Sequence, residues 1–175
     1  MCGITGIIGR NSANNRSTTE RAIKVLNHRG PDSSGIWVSE DNRVAFGHAR
    51  LSIQDISSMA AQPMMSHNKD YILIYNGEIY NKNKIHTSIS NKSKKLLRST
   101  SDTEILLYSL IDNGVIETCR IIDGMFAFCF YDRINDKIFL ARDKFGEKPL
   151  FYSSYNNVIT FSSEIKAFKH YPNYN

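Results

Sequence analysis

The sequence predicts an α+β protein built mainly from antiparallel hairpins. Short β-branched and aromatic runs recur along its 175 residues and are separated by pairs of Asn, Asp and Gly, which are typical of tight turns between strands. Two segments instead combine helix-start signals with an apolar face at helical spacing. Because two stacked sheets with helices outside them bury both faces of each sheet, we expect one such domain over residues 1–175.

Two elements are predicted near the N-terminus. Residues 2–8 form an apolar, β-branched run that indicates a buried strand beginning at the terminus itself. A helix is predicted over residues 19–27, since Ser17 and Thr18 offer N-caps and the apolar residues that follow share one face. The turn residues 29–32 end this helix.

The rest of the chain is richer in predicted strands. A second helix begins where Ser101 and Glu104 form a capping-box pattern, and it ends at Gly114. The pair Asn76-Gly77 follows an apolar run and favours a type I′ hairpin turn. A short helix is expected from about residue 163. Strands are expected at residues 35–39, 43–51, 71–75, 125–132, 137–142, 150–154 and 158–161, with further turns at residues 135–136 and 156–157.

Composition argues against several classes of protein. The sequence has neither a membrane-length apolar run nor a basic leader followed by an apolar stretch. Three cysteines without CxxC spacing argue against a secreted disulfide framework, so we expect a cytoplasmic protein. The net charge of +5 comes largely from Lys and Arg between residues 82 and 98. Without aromatic interleaving or a nucleic-acid motif, this stretch predicts a solvated surface and not a nucleic-acid or membrane site.

The strongest chemical signal is a cysteine directly after the initiator methionine. Removal of Met1 would leave Cys2 with both a thiol and a free α-amine, so one residue could supply a nucleophile and its base. Position alone does not distinguish Cys2 from an ordinary strand residue. Gly3 and Gly6 add context, because a ligand lying against this strand would explain two glycines in a buried run.

Three further segments could complete a site for acyl transfer on a free amino acid. Besides its turn interpretation, Asn76-Gly77 could form an oxyanion hole from the Asn side-chain NH₂ and the Gly backbone N–H. Arg50 lies in an otherwise apolar strand and could bind a carboxylate. Asp102 lies in the first turn of a helix, where it could hold an ammonium group.

Motifs for metals and phosphates do not accompany these residues. The five histidines lack HxxxH and HExxH spacing, and neither GxxxxGK[ST] nor GxGxxG occurs. We therefore expect no metal site and no cofactor in this domain, with any ATP chemistry located elsewhere.

The order of the motifs resembles that of class II glutamine amidotransferases, and the similarity covers nearly the whole chain. The motifs are Met1-Cys-Gly-Ile-Thr-Gly6, His28-Arg-Gly-Pro-Asp32, Arg50-Leu-Ser-Ile53, Tyr75-Asn-Gly-Glu-Ile-Tyr80, Ser101-Asp-Thr-Glu104, Asp123-Gly-Met-Phe-Ala-Phe128 and Arg142-Asp143. Residues 142–150 and 161–167 are similar in particular to the glutaminase domain of glutamine-hydrolysing asparagine synthetases.

This resemblance implies the N-terminal-nucleophile hydrolase fold, a four-layer αββα sandwich, together with a reaction. Cys2 would attack the side-chain amide of L-glutamine, its α-amine would move the protons, and Asn76 with Gly77 would stabilise the oxyanion. Ammonia would leave, and water would hydrolyse the glutamyl thioester to glutamate. The implied substrate-binding residues are Arg50, Leu51, Ser52, Ile53, Asn76, Gly77, Glu78 and Asp102, and the loop 29–32 would form part of the site wall.

The resemblance also implies a partner that consumes the ammonia. Family synthetases continue into a larger domain that uses ATP and Mg, which is absent from this chain, so the expected partner is a synthetase domain or subunit. A homodimer stays open. Aspartate is the leading acceptor and a sugar carboxylate the alternative, since Lys144, where these synthetases usually have Pro, and the basic residues 92–98 indicate a divergent member. Two rival hypotheses are a hydrolase of the same fold acting on another amide, and a non-catalytic interaction module.

Overall fold

Two antiparallel sheets form the centre of the computed structural model, which describes residues 1–9, 11–51 and 58–172. The strands are β1 (Gly3–Ile8), β2 (Ser33–Val38), β3 (Val44–Arg50), β4 (Met64–Met65), β5 (Tyr71–Ile79), β6 (Gly124–Asp132), β7 (Lys137–Arg142), β8 (Phe151–Tyr155) and β9 (Val158–Ser162). Sheet A has the order β2-β3-β1-β9-β8, and sheet B has the order β4-β5-β6-β7.

Helices cover the outer faces of the two sheets. The α-helices are α1 (Asn15–Lys24), α2 (Lys82–Ser88), α3 (Asn91–Lys94), α4 (Asp102–Asn113) and α5 (Val115–Ile121), and 3₁₀ turns cover Ser58–Ala60 and Ile165–His170. Among the described residues, no helix has the length and apolarity needed to span a membrane.

Three apolar cores separate the four layers. Alternation along the strands distributes side chains between them, because successive residues point to opposite faces of a sheet. In β1, Ile4 joins the core between the sheets, whereas Ile7 joins the core under α1. In β5, Ile74 faces sheet A, whereas Leu73 packs under α4. This arrangement confirms the predicted αββα sandwich.

The first helix differs from its prediction. It spans Asn15–Lys24 and not residues 19–27, so Ser17 and Thr18 lie inside it and do not cap it. Beyond Lys24 the chain tightens into short turns, in which Leu26 N–H donates to Ile23 O at 2.9 Å. These turns carry the chain towards β2.

The predicted turn at Asn76-Gly77 is wrong. Strand β5 continues through both residues to Ile79, with Asn76 opposite Ala127 and Gly77 opposite Phe126 in β6. Nine residues of pairing with β6 override the local turn preference, because β5 is a central strand of sheet B. At residues 156–157 the predicted turn does form, and both Asn residues have positive φ angles, as a type I′ turn requires.

The start and end of α4 agree with prediction, with one difference. Ser101 Oγ accepts the N–H of Glu104 at 3.3 Å, which satisfies one of the free amides at the helix start. The Glu104 carboxylate does not return the bond to Ser101, as a capping box would. It accepts the N–H groups of Arg98 at 2.9 Å and Ser99 at 2.7 Å. Gly114, with φ of 78°, ends the helix.

Candidate functional site

Cys2 lies at the head of β1, the central strand of sheet A. Pairing begins at the next residue, where Gly3 lies opposite Ala49 of β3. By the alternation that turns Ile4 towards sheet B, the side chain of Cys2 belongs to the face between the sheets. Its Sγ accepts the N–H of Leu51 at 3.4 Å and approaches Leu51 O at 3.7 Å. The sulfur is thus held by the backbone that follows β3.

The two glycines of β1 have a packing explanation. A Cβ on Gly6 would lie 2.6 Å from the ring of Phe161, and one on Gly3 would lie 3.0 Å from Leu26 Cβ. Protein side chains therefore occupy the space beside both residues. The expectation that a ligand explains these glycines is wrong.

Asn76 of β5 faces the same space as Cys2 from the opposite sheet. It follows Ile72 and Ile74 in the alternation that turns their side chains towards sheet A. Asn76 is 1% exposed, and within the described residues its Nδ2 has no hydrogen-bond partner. Leaving a buried donor unpaired costs about 1–3 kcal/mol. This amide could therefore donate to an oxygen that enters the space between Asn76 and Cys2.

Asp102 is the first residue of α4 and is buried. Its Oδ2 accepts the Tyr75 hydroxyl at 3.0 Å and the N–H of Ile79 at 3.2 Å. Burial raises the pKa of Asp102, and these hydrogen bonds only partly offset that effect. The carboxylate therefore lacks full compensation in the protein alone, as expected of a group that binds a cation.

His48 lies in β3 and contacts the backbone of β5 in the opposite sheet. Its Nε2 lies 3.2 Å from Tyr75 O, and the residue is fully buried. Burial lowers the pKa of His48 to about 3. The ring is therefore neutral near pH 7, and Nε2–H donates to the carbonyl that precedes Asn76.

Arg29 contacts the backbone of Cys2 directly. Its Nε donates to Cys2 O at 3.0 Å, and its Nη1 donates to Glu164 Oε1 at 2.9 Å. The predicted loop 29–32 thus reaches Cys2 through this side chain, a contact that the sequence did not specify.

Cys2, Asn76 and Asp102 border one cleft of about 190 Å³. This volume is below the roughly 300 Å³ at which sites for drug-sized ligands begin. Of the predicted site residues, the cleft brings together Cys2, Arg50, Leu51, Asn76, Gly77, Glu78 and Asp102, whereas Ser52 and Ile53 lie outside the described residues. The remaining lining residues are Met1, Ala60, Gln62, Tyr75, Ser101, Thr103, Met125 and Lys148.

The polar lining residues that were not predicted for the site include Gln62 and Lys148. Gln62 Oε1 accepts the N–H of Tyr75 at 2.6 Å and so holds the strand that carries Asn76. Lys148 is 6% exposed, which is rare for a lysine. Gln62 belongs to no local pattern that would signal a site, and Lys148 lies within residues 142–150, whose family resemblance assigned it no role. Among the described residues, the charged lining residues are thus two acidic ones, Glu78 and Asp102, and two basic ones, Arg50 and Lys148.

No group of three or more His, Cys, Asp or Glu residues in residues 1–9, 11–51 and 58–172 could hold a metal ion.

A family match and individual relatives point to the same family of proteins. The chain matches the family of glutamine amidotransferase domains over residues 1–175. It is 38% identical to asparagine synthetase [glutamine-hydrolyzing] 3 of Bacillus subtilis, over 98% of this chain and 28% of that protein. It is 34% identical to a putative asparagine synthetase of Methanocaldococcus jannaschii, over 95% of this chain and 35% of that protein. The chain therefore spans about a third or less of these relatives.

Solved structures share the fold. The glutamine phosphoribosylpyrophosphate amidotransferase of B. subtilis matches with a TM-score of 0.78 at 21% identity, over 96% of this chain and 43% of that one. A structure described as the allosteric regulatory enzyme of purine biosynthesis matches with a TM-score of 0.81 at 20% identity, over 97% of this chain and 43% of that one. The family match, the identities and the shared fold agree, and the chain belongs to the glutamine amidotransferase domain family.

Proposed function

We propose that this domain hydrolyses L-glutamine to L-glutamate and ammonia through a thioester on Cys2. The observation that carries the proposal is the position of the Cys2 thiol at the head of a central strand, in the same cleft as Asn76, whose buried Nδ2 has no hydrogen-bond partner in the described part of the chain. Acyl transfer needs at least a nucleophile and a donor to the oxyanion. In this domain the two lie on different sheets.

The proposed reaction begins with attack of the Cys2 sulfur on the side-chain carbonyl carbon of glutamine. The α-amine of Cys2, free once Met1 is removed, takes the thiol proton and passes it to the departing nitrogen, which leaves as ammonia. Asn76 Nδ2 and Gly77 N–H donate to the oxyanion of the tetrahedral intermediate. Water then attacks the glutamyl thioester with the same amine as base, and glutamate leaves with the thiol restored.

Charged residues of the cleft suit the amino-acid end of glutamine. We assign the α-carboxylate to Arg50 and the α-ammonium to Asp102 and Glu78, with Leu51 as part of the wall. The raised pKa of Asp102 supports this assignment, because a substrate ammonium would supply the compensation that the buried carboxylate lacks.

Methionine removal is a condition of the proposal. Met1 lines the cleft and is still joined to Cys2 in the structure, so its peptide bond occupies the nitrogen that would act as the base. A chain that keeps Met1 would therefore have the nucleophile without its base. The proposal also places the protein in the cytoplasm, because Cys2 has to stay reduced.

The ammonia would pass to an ATP-dependent synthetase domain or subunit. The relatives at 38% and 34% identity are named asparagine synthetases, and this chain covers 28% and 35% of their length. We therefore favour aspartate as the acceptor, with another carboxylate as the alternative. In this proposal ATP and Mg act in the synthetase portion, and the residues of this chain hold no cofactor.

The test is glutamine turnover by chain whose loss of Met1 has been verified by intact mass. Ammonia and glutamate should appear in equal amounts, and Cys2→Ala should abolish both. Cys119→Ala, which changes a half-buried thiol on α5, is the matched control and should keep full activity. Correctly processed protein that binds glutamine without turnover would favour the non-catalytic module.

Substrate analogues separate glutamine from other amides. N-acetylglutamine lacks the ammonium that Asp102 would bind, and short peptides with glutamine at the N-terminus lack a free glutamine α-carboxylate for Arg50. Both should react far more slowly than glutamine, because each lacks a charged group that the cleft is proposed to bind. Equal turnover of all these amides would instead indicate a hydrolase of broader specificity.

A further inference from the structure

Glu164 contacts three basic side chains beside β1, the strand that begins directly after Cys2. Its Oε1 accepts a hydrogen bond from Arg29 Nη1 at 2.9 Å and lies 2.9 Å from His28 Nε2, while its Oε2 lies 3.0 Å from Lys166 Nζ. Burial alone would raise the pKa of Glu164, but these neighbours lower it to about 2. The carboxylate is therefore ionised near neutral pH.

Pairing within sheet A places Glu164 at this point. Strand β9 pairs with β1 as far as Ser162 opposite Thr5. Ser163 extends the contact, because Ile4 N–H donates to Ser163 Oγ at 3.0 Å and Ser163 N–H donates to Ile4 O at 2.8 Å. The next residue, Glu164, therefore lies alongside the first residues of β1.

Arg29 links Glu164 to Cys2 through hydrogen bonds to both residues. While Nη1 is held by the carboxylate, Nε donates to the Cys2 carbonyl at 3.0 Å, and the arginine side chain is only 9% exposed. Hydrogen bonds from a charged donor are stronger than neutral ones. Once Met1 is removed, Cys2 keeps a single peptide bond, so its carbonyl becomes a main point at which the fold can hold the nucleophile.

We propose that Glu164 is a positioning residue for the glutaminase reaction. It holds the guanidinium of Arg29 on the Cys2 carbonyl, and this contact fixes the direction in which the thiol and α-amine point. The inference rests on the proposed glutaminase activity. Because Glu164 is not among the residues that line the cleft, its loss should lower kcat and leave KM for glutamine almost unchanged.

Glu164→Gln is the primary variant, because it keeps the size of the side chain and removes its charge. We expect kcat to fall about tenfold, since small misplacements of a reacting group cost between tenfold and 100-fold. KM should change by less than about twofold, and alkylation of Cys2 by iodoacetamide should slow by about the same factor as kcat. Glu117→Gln, which removes a carboxylate from the exposed pair with Arg120 on α5, should change none of these.

A double-mutant cycle with Arg29→Met shows whether Glu164 acts through Arg29. If it does, Glu164→Gln has no further effect in the Arg29→Met background, because the two changes remove the same contact. An equal fall of kcat in both backgrounds would overturn the proposal, as would a folded Glu164→Gln protein with wild-type kcat and alkylation rate. Intact mass and thermal melting establish that each protein is processed and folded.

Two further measurements cover a Glu164→Gln protein that does not fold and a wild-type chain that releases no ammonia. If Glu164→Gln does not fold, Arg29→Lys, which keeps the charge but loses the forked donor, should lower kcat at unchanged KM, and wild-type kcat in that variant would overturn the idea. If processed wild-type chain releases no ammonia, the glutaminase proposal fails. The iodoacetamide rates of wild type and Glu164→Gln then decide the role of Glu164 alone.

Discussion

The hydroxyl of Tyr75 donates to Asp102 Oδ2 at 3.0 Å and joins strand β5 to the first residue of α4. Tyr75 also donates its backbone N–H to Gln62 at 2.6 Å and accepts from His48 through its carbonyl at 3.2 Å. The residue before Asn76 is thus held at its amide, its carbonyl and its side chain. The expected oxyanion donor and the expected ammonium site therefore share one support.

Tyr75→Phe should weaken glutamine binding. The lost hydrogen bond stabilises the ionised form of Asp102, so its pKa should rise further. We expect KM for glutamine to rise about threefold to tenfold, which corresponds to a bond worth about 1 kcal/mol. Since binding needs the ionised carboxylate, KM should also rise as pH falls, starting at a higher pH in the variant than in wild type.

Tyr108→Phe is the control for this prediction. The Tyr108 hydroxyl also lies on α4 but accepts the N–H of His67 at 3.3 Å, away from the residues that line the cleft. It should lower the melting temperature without changing KM. The same KM and pH profile in Tyr75→Phe and wild type would contradict the assignment of Asp102 to the substrate ammonium.

His48 should make the fold sensitive to mild acid. Its pKa is lowered to about 3 by burial, against about 6.5 in an unfolded chain. A lowered pKa means that unfolded chains bind a proton that the folded protein does not, so stability present above pH 6.5 is lost as pH falls towards 3. The contribution of this one group is at most about 1.4 kcal/mol per pH unit.

His48→Gln tests this effect by denaturant unfolding at several pH values. Glutamine keeps an N–H donor for Tyr75 O but does not titrate, so the difference in unfolding free energy between wild type and variant should depend on pH between about 6.5 and 3. His67→Gln changes an exposed histidine and should show no such dependence. Parallel curves for wild type and His48→Gln would refute the prediction.

Gly77→Ala should damage catalysis more than folding. An added Cβ would lie 2.4 Å from Met125 O and 2.7 Å from Tyr75 Cε2, so β5 would have to shift from β6 at the expected oxyanion donors. We expect kcat to fall about 100-fold, as for loss of one such donor. Gly114→Ala is the matched control. Its φ of 78° and ψ of 163° make alanine strained, so it should cost about 1–3 kcal/mol of stability and leave kcat unchanged.

Asp143 should be a main stabilising residue of the turn that leads to Lys148. Its carboxylate accepts four backbone N–H groups, from Phe126, Phe145, Glu147 and Lys148. Burial alone would raise the pKa of Asp143, but these bonds lower it below 3.8. The lowered pKa means that this stability is fully present above about pH 4 and is lost as pH falls through the folded pKa.

Asp143→Asn should lower the unfolding free energy by about 2 kcal/mol at pH 7, because an amide cannot accept all four donors. The difference from wild type, measured by denaturant titration, should shrink below about pH 4. Asp123→Asn changes an exposed carboxylate and should have little effect. If Asp143→Asn matched wild type at pH 7, the turn would owe its stability to other contacts.

Sequence reasoning succeeded where chemistry places an unusual side chain in a local pattern. Three residues stood out in this way: Cys2 by its position after Met1, Arg50 by its apolar strand, and Asp102 by its place at a helix start. All three line one cleft. Their proposed roles remain predictions. The αββα architecture followed from the family resemblance together with hairpin spacing.

Other features depend on contacts between distant segments and were not predictable from local pattern. Asn76-Gly77 carries the same signal in a turn as in β5, and only its pairing with β6 decides between them. Gln62 and Lys148 reach the cleft because remote parts of the chain fold beside it. Likewise, Gly6 is explained by the ring of Phe161, a residue 155 positions away in the sequence.

The central position of β1 limits how this protein can be produced and studied. Its first paired residue, Gly3, is directly adjacent to Cys2, and β1 has β3 on one side and β9 on the other. An affinity tag fused ahead of Cys2 would extend from the cleft and block the amine, so such a preparation should fold normally and yet be inert. Purification handles should therefore be kept away from Cys2, and in the proposed mechanism removal of Met1 by an aminopeptidase would be the step that activates the domain.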